Sequence, residues 1–156
     1  MFRKYLMVFL ISMLPLVELR GAIPYAVGYS LPLIPSFIVA ILGNMVPVPF
    51  IFLFARRLLE WGKDKKYIGK FFKWCLVKGE HGGKKLEKSA GKGLYWALLI
   101  FVGIPLPGTG AWTGTLAASI LDMDFKKSVL AVLGGVLMAG IIMAILSVGV
   151  FKGILA

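Results

Sequence analysis

Apolar residues run along this chain in blocks, and the blocks are cut by short polar or proline-rich interruptions. The first run, Tyr5–Val17, has 13 residues. As a helix it reaches about 20 Å, short of the roughly 30 Å of a bilayer's hydrocarbon core. Glu18, Arg20, Gly21 and Pro24 interrupt it, and a second short arm, Tyr25–Leu31, leads to Pro32. Leu33–Phe54 then offers 22 residues without a charge, about 33 Å of helix and enough to cross. Asn44, Pro47 and Pro49 lie inside it and predict a kink or break, because proline removes a backbone donor and crowds the preceding turn. Arg56-Arg57 ends the apolar stretch.

The second half repeats this order of parts. A short arm, Leu94–Ile104, meets the break Gly103–Gly110, which carries Pro105, Pro107, Gly108 and Thr109. The arm Ala111–Leu121 follows, then a polar boundary with Asp122, Asp124, Lys126 and Lys127. Ser128–Phe151 closes the pattern with 24 uncharged residues, in which Gly134-Gly135 and Ala139-Gly140 offer small faces for close helix contact.

The pattern predicts an all-α integral membrane protein forming a single membrane domain over 1–156. Repeat 1 covers 1–54 (hairpin 5–31, span 33–54) and repeat 2 covers 94–156 (hairpin 94–121, span 128–151). If each broken pair of arms is a re-entrant broken-helix hairpin, each repeat crosses once. The second repeat is then inverted relative to the first, the arrangement of many transporters. The competing layout makes each pair a full two-span hairpin, giving six crossings. Residues 1–17 also have the look of a signal peptide, but no small-residue cleavage site follows.

Composition agrees with a membrane solvent. Hydrophobic residues make up 59% and charged residues 16% of the chain, against roughly 45–50% and about 25% in soluble domains. The net charge of +11 is unevenly spread: residues 55–93 hold 12 of the 18 Lys and Arg with four acids. Between apolar blocks, such a loop marks the cytoplasmic side of a cell membrane and attracts anionic lipid, rather than nucleic acid. Within it Tyr67, Phe71 and Cys75 recur every fourth residue, with Lys66, Lys70 and Lys73 on the opposite arc. This predicts an amphipathic helix, lying either in the interface or on the protein's own cytoplasmic face. His81-Gly82-Gly83 reads as a turn. One cysteine and one histidine leave no parts for a disulfide, a metal cluster or a nucleophilic triad. No cofactor and no enzyme chemistry are expected.

The candidate site residues sit at the breaks. Glu18 and Arg20 are charges between apolar arms, which are costly and usually functional there. On an ideal helix they point about 200° apart. They share a pocket only if the helix ends at Glu18 and extended backbone through Gly21–Pro24 frees them; otherwise they are interfacial charges. Gly108, Thr109 and Gly110 precede a helix whose first N–H groups and dipole would favour an anion. Trp112 stands just inside that helix, as a ligand contact or an interface anchor. Gly21, Pro24, Asn44, Pro47, Pro105 and Pro107 are the expected structural breaks, and Asn44 is expected to hydrogen-bond a neighbouring helix.

The segments Glu18-Leu19-Arg20-Gly21-Ala22-Ile23-Pro24 and Pro105-Leu106-Pro107-Gly108-Thr109-Gly110-Ala111-Trp112-Thr113-Gly114 resemble the prokaryotic small multi-drug export protein family, over nearly the whole chain. That family is in turn similar to the DedA-like membrane proteins with re-entrant hairpins. The resemblance implies inverted re-entrant loops, a homo-oligomer, and movement of lipids or lipid-linked phosphate. Neither long span contains an acid, which argues against a simple four-helix proton–drug antiporter.

The leading expectation is a transporter of small amphiphilic or lipid-like molecules. Glu18 would take a proton or cation, and Arg20 with the Gly108–Gly110 helix start would hold an anionic group. The alternatives are a lipid or lipid-phosphate flippase and a non-transporting factor that organises lipid or partner proteins through the basic loop.

Overall fold

The computed structural model describes residues 1–155, with the side chains at 75, 78–80, 82–83, 85–87, 89 and 154–155 outside the description. Its regular structure is helical throughout the described residues. Eight helices follow in order: α1 Phe2–Met13, α2 Glu18–Gly28, α3 Leu33–Met45, α4 Pro47–Gly62, α5 Gly69–Ala90, α6 Gly93–Gly103, α7 Ala111–Ile120 and α8 Phe125–Leu155.

The helix ends follow from local sequence. α1 stops because Leu14 precedes Pro15, and a residue before proline is pushed out of the α region; Leu14 is extended at φ −69° and ψ 134°. α6 stops the same way, with Ile104 before Pro105 at φ −76° and ψ 119°. α2 and α7 end on Ser30 and Asp122, both with positive φ. There Leu31 N–H returns to Ala26 O and Met123 N–H to Ala118 O, closing the last turn of each helix.

Two helices are long and apolar enough to cross a membrane: Leu33–Gly62, formed by α3 and α4 together, and Phe125–Gly153 within α8. The break expected near Asn44–Pro49 is present only as a joint at Val46, which keeps helical dihedrals. Arg56-Arg57 ends the apolar segment but not the helix, which continues to Gly62. Arg56 is accommodated because it pairs with Glu60 one turn on and with Asp122 at the end of α7.

Two of the expected breaks lie elsewhere. Gly21 and Pro24 sit inside α2, and the chain turns earlier, at residues 14–17. Leu16 and Glu18 make that turn with φ of 71° and 53°, so the helix begins at Glu18 instead of ending there. Gly21 serves a different purpose: a Cβ there would collide with the Val17 side chain, so the glycine lets α2 fold tightly against the turn before it. Pro24 is carried inside the helix at the cost of the bond its missing N–H would have made to the carbonyl four residues back and of crowding in the preceding turn.

The basic segment is also more regular than its sequence suggests. His81-Gly82-Gly83 is not a turn but part of the continuous helix α5, with His81 Nδ1 2.9 Å from Val77 O. Tyr67 precedes that helix, and the Cys75 side chain lies outside the described residues. Tyr67, Phe71 and Trp74 are exposed, whereas Phe72 packs onto Gly62.

Packing recurs at matched positions in the two halves. α1 packs on α3 as α6 packs on α8, and α2 meets α8 as α7 meets α4. Gly43 lets α3 approach α1, since a Cβ there would lie 2.5 Å from Phe9 O. Gly135 does the same for α8 on α6, at 2.6 Å from Leu99 O. The core runs between the halves, with Val8, Leu19, Ile23, Val48, Val102, Val132 and Val136 almost wholly buried.

Candidate functional site

The two breaks meet. Glu18 opens α2, and its carboxylate reaches the start of α7, where it accepts the backbone N–H of Ala111 on Oε2 at 3.1 Å and of Trp112 on Oε1 at 3.1 Å. The group is only 3% exposed. A buried carboxylate needs such partners, because an unpaired charge there is very costly. The first N–H groups of a helix have no intrahelical partner and lie at the positive end of its dipole, so they hold a carboxylate well. Gly110, just ahead, makes room: a Cβ on it would occupy the space of the Glu18 carboxylate.

Arg20, two residues on, grips the other side of the same loop. Its guanidinium donates to Leu106 O, to Ile104 O at 3.3 Å and to Thr109 Oγ1 at 3.0 Å. Thr109 Oγ1 is itself 2.6 Å from Ile104 O and 2.8 Å from Leu106 O. The loop leaves these carbonyls without helical partners because Pro105 and Pro107 end the α-helical ladder. A planar fork with five donors suits a cluster of carbonyls better than a lysine would. Gly108, at φ 84°, supplies the backbone conformation that folds the loop back.

The grip is returned from the second half. Trp112 Nε1 donates to Met13 O at 3.1 Å, the last residue of α1. Arg20 and Trp112 both lie in the first turn of their helices, and each spans to a carbonyl at the end of the opposite half's first helix. The Trp112 ring nitrogen is therefore engaged within the protein, and the residue is more than an interface anchor.

Six of the sequence-predicted residues thus converge at one place: Glu18, Arg20, Gly108, Thr109, Gly110 and Trp112. Pro105 and Pro107 shape the loop that Arg20 holds. Pro47 opens α4, and Gly21 and Pro24 lie inside α2. The anion position at the start of α7 is filled by Glu18, and the Arg20 fork is taken by carbonyls. The expected roles of both as direct holders of an anionic substrate therefore do not fit this state of the protein.

Asn44 does not hydrogen-bond a neighbouring helix either. It is 1% exposed, and neither its amide nitrogen nor its oxygen has a partner among the described residues. The Thr115 hydroxyl, one turn into α7, is unpartnered in the same way.

Sequence reasoning missed Pro15, which ends α1, and Met13, which receives Trp112. The signal for Pro15 was available in the dipeptide Leu14-Pro15, the counterpart of Ile104-Pro105. No group of three or more metal-ligating side chains occurs among the described residues.

Long apolar helices around a buried acid–base cluster define an all-helical membrane protein with a polar lock between its two halves. The chain belongs to the family described as Putative small multi-drug export protein, whose model matches residues 18–142. That match begins at Glu18 and includes every residue of the cluster except Met13. Neither a curated protein nor a solved structure matches the chain.

Proposed function

We propose that the protein is a transporter, not an enzyme, that moves small amphiphilic or lipid-like molecules across the cell membrane between two opposed re-entrant hairpins, α1–α2 and α6–α7. The carrying observation is the lock at their tips: Glu18 on the Ala111 and Trp112 N–H groups, Arg20 on the 104–109 loop, and Trp112 on Met13. In this reading the locked tips close the path at mid-membrane. Protonation of Glu18 removes its charge and one of its two acceptors, so the tips part and the path opens. Proton binding and substrate passage are coupled through that one carboxylate.

The inverted, re-entrant arrangement is supported by where the hairpins open. Lys4 Nζ lies 5.3 Å from the Tyr29 ring centre, so the open end of the first hairpin closes on itself. At the open end of the second, Asp124 N–H donates to Tyr95 Oη at 3.3 Å, and Lys127 Nζ lies 5.6 Å from the Tyr95 ring centre. The first open end meets α8 at Phe151, which packs on Gly28, and the second meets it at Lys127. Along α8 these points are about 36 Å apart, the depth of a bilayer core and a little more. The basic segment 55–93 then faces the cytoplasm. A protomer with so few elements encloses little space, so we also propose that it works as a homo-oligomer.

The test is transport by proteoliposomes under a pH gradient, with ethidium and a sulfonated naphthalene dye as probes. Wild type moves at least one dye, and Glu18→Gln and Arg20→Ala lose gradient-driven movement. Wild type and both variants behaving like empty liposomes ends the transporter reading.

A second reading, a non-transporting membrane organiser, draws on the exposed aromatic pair of α5. Phe71 and Trp74 stack with ring centres 6.3 Å apart and face away from the protein. It requires that Phe71→Ser/Trp74→Ser abolish cellular function while Glu18→Gln leaves it intact.

A further inference from the structure

Next to the lock, α4 and α7 leave an open groove of about 490 Å³. One wall is Ile51, Phe54, Leu58 and Trp61, which recur on one face of α4, and the other is Trp112 and Leu116, one turn apart on α7. This size falls within the roughly 300–1,000 Å³ of small-molecule sites. The lining is carbon almost throughout, and its one ionisable side chain is Arg57.

Arg57 is exposed and makes no ion pair among the described residues. The acids that could have neutralised it are engaged elsewhere: Glu60 and Asp122 both pair with Arg56. Arg57 lines the groove with the carbon part of its side chain, and its exposed guanidinium, on a long flexible stem, can reach the mouth, where two parallel N–H donors suit a planar or tetrahedral oxyanion.

The groove has a direction. α4 and α7 run side by side in the same sense, since Ser119 Oγ donates to Phe52 O at 2.7 Å and Arg56 pairs with Asp122 just beyond α7. Arg57 therefore lies toward the C-terminal end of α7, and Trp112 lies at its N-terminal end. The length of α7 between them is about 14 Å. A ligand with its acid on Arg57 points an apolar tail at the lock, where Trp112 holds both Glu18 and Met13.

We propose that this groove is the substrate site, and that it takes a single-chain anionic amphiphile. The acid is held by Arg57, and the chain lies along Phe54, Leu58 and Leu116 against Trp112. One spare positive charge matches one anionic group, and the narrow apolar trough matches one chain. The inference rests on the transporter reading, and it moves the anion contact from Arg20, which is already engaged, to Arg57, which is available. It also gives the substrate a means of reaching the lock, because a tail that displaces the Trp112 ring breaks the Nε1 bond to Met13 O, next to the backbone N–H that holds Glu18.

Binding is measured without transport. In a Trp74→Phe/Trp96→Phe background, tryptophan fluorescence reports Trp61 and Trp112 alone. The full-length protein is placed in zwitterionic vesicles and titrated with 12-bromododecanoate, then with the 12-bromododecyl trimethylammonium ion, both quenchers. The expected result is saturable quenching by the anion. Arg57→Gln, or exchange of the anion for the cation, weakens it about tenfold, equivalent to about 1.4 kcal/mol. Ala55→Phe, which fills the trough, abolishes saturation and leaves only the linear quenching of free partition.

Linear quenching in every protein, or equal quenching by both head charges, overturns the proposal. So does full competition by a small fraction of phosphatidylglycerol, which would make the groove a two-chain lipid site. Disulfide-linked dimers through Leu58→Cys in a Cys75→Ser background, with no quenching by the anion, would make it an interface between copies and also overturn it. Glu18→Gln separates the two readings. Saturable anion binding in a variant that still transports like wild type sinks the lock and keeps the groove. Loss of head-charge selectivity with Glu18-dependent transport intact does the reverse.

Discussion

Gly110 and the Glu18 carboxylate share one volume: the glycine has no side chain because the carboxylate lies where its Cβ would be. The contact joins residues far apart in sequence and from different halves. It places a buried charge on two backbone N–H groups with no room for a competing methyl.

Gly110→Ala should therefore act through Glu18. In the wild-type background it forces the carboxylate off Ala111 and Trp112 and destabilises by about 1–3 kcal/mol, the usual cost of overpacking. In a Glu18→Ala background the same substitution should cost much less. Thermal unfolding of the four proteins in detergent gives the coupling; equal costs in the two backgrounds would show that the contact carries no energy.

Arg20 and Thr109 should couple as well. Thr109→Val removes a hydroxyl shared by Arg20 and the 104 and 106 carbonyls. The interaction energy with Arg20→Ala should fall in the range of about 0.5–3 kcal/mol expected for neighbours in one network. Arg20→Lys should not restore wild-type stability, since a single ammonium cannot replicate the fork. The same unfolding measurement checks both.

Trp112→Phe keeps an aromatic ring in the groove but removes the donor to Met13 O. A loss of about 1 kcal/mol is expected, the net value of one hydrogen bond. Bromododecanoate binding, followed through Trp61, should persist. A variant as stable as wild type would remove the reciprocal half of the lock.

Glycines should separate by what surrounds them. Gly43→Ala and Gly135→Ala meet backbone oxygens of α1 and α6 and should each destabilise by about 1–3 kcal/mol. Gly149 has nothing within 4 Å of an added Cβ. There alanine should be neutral or stabilising by about 0.5–1 kcal/mol, because it relieves the entropic cost of glycine in a helix.

Membrane-impermeant maleimide tests the opposed hairpins. In a Cys75→Ser background, cysteines at Ser30 and Asp122, the exposed corners after α2 and α7, should label from opposite sides of the membrane. Labelling of both from one side would discard the inverted arrangement.

The hydropathy pattern by itself determined much of this protein. The two long helices, the short helices α1, α6 and α7 and the Pro/Gly loop at 104–110 are local consequences of apolar length and of where proline removes a donor; α2 was not, since it runs through the expected break at Gly21 and Pro24. Leu14-Pro15 was equally local and equally readable. The helix α5 was misjudged at Gly82-Gly83 because glycine weakens a helix without forbidding it.

What the sequence could mark but not assign was the use of its charges. Glu18 and Arg20 stood out because charges between apolar arms are expensive. Their partners lie near residue 110, and a positive φ at Glu18 decides the direction in which each side chain leaves the backbone. Only the packed structure brings α7's free N–H groups to a carboxylate and the 104–109 carbonyls to a guanidinium, because neither break can satisfy its own backbone. Tertiary packing likewise left Arg57 spare by giving both nearby acids to Arg56, and no spacing along the chain could have told those two adjacent arginines apart.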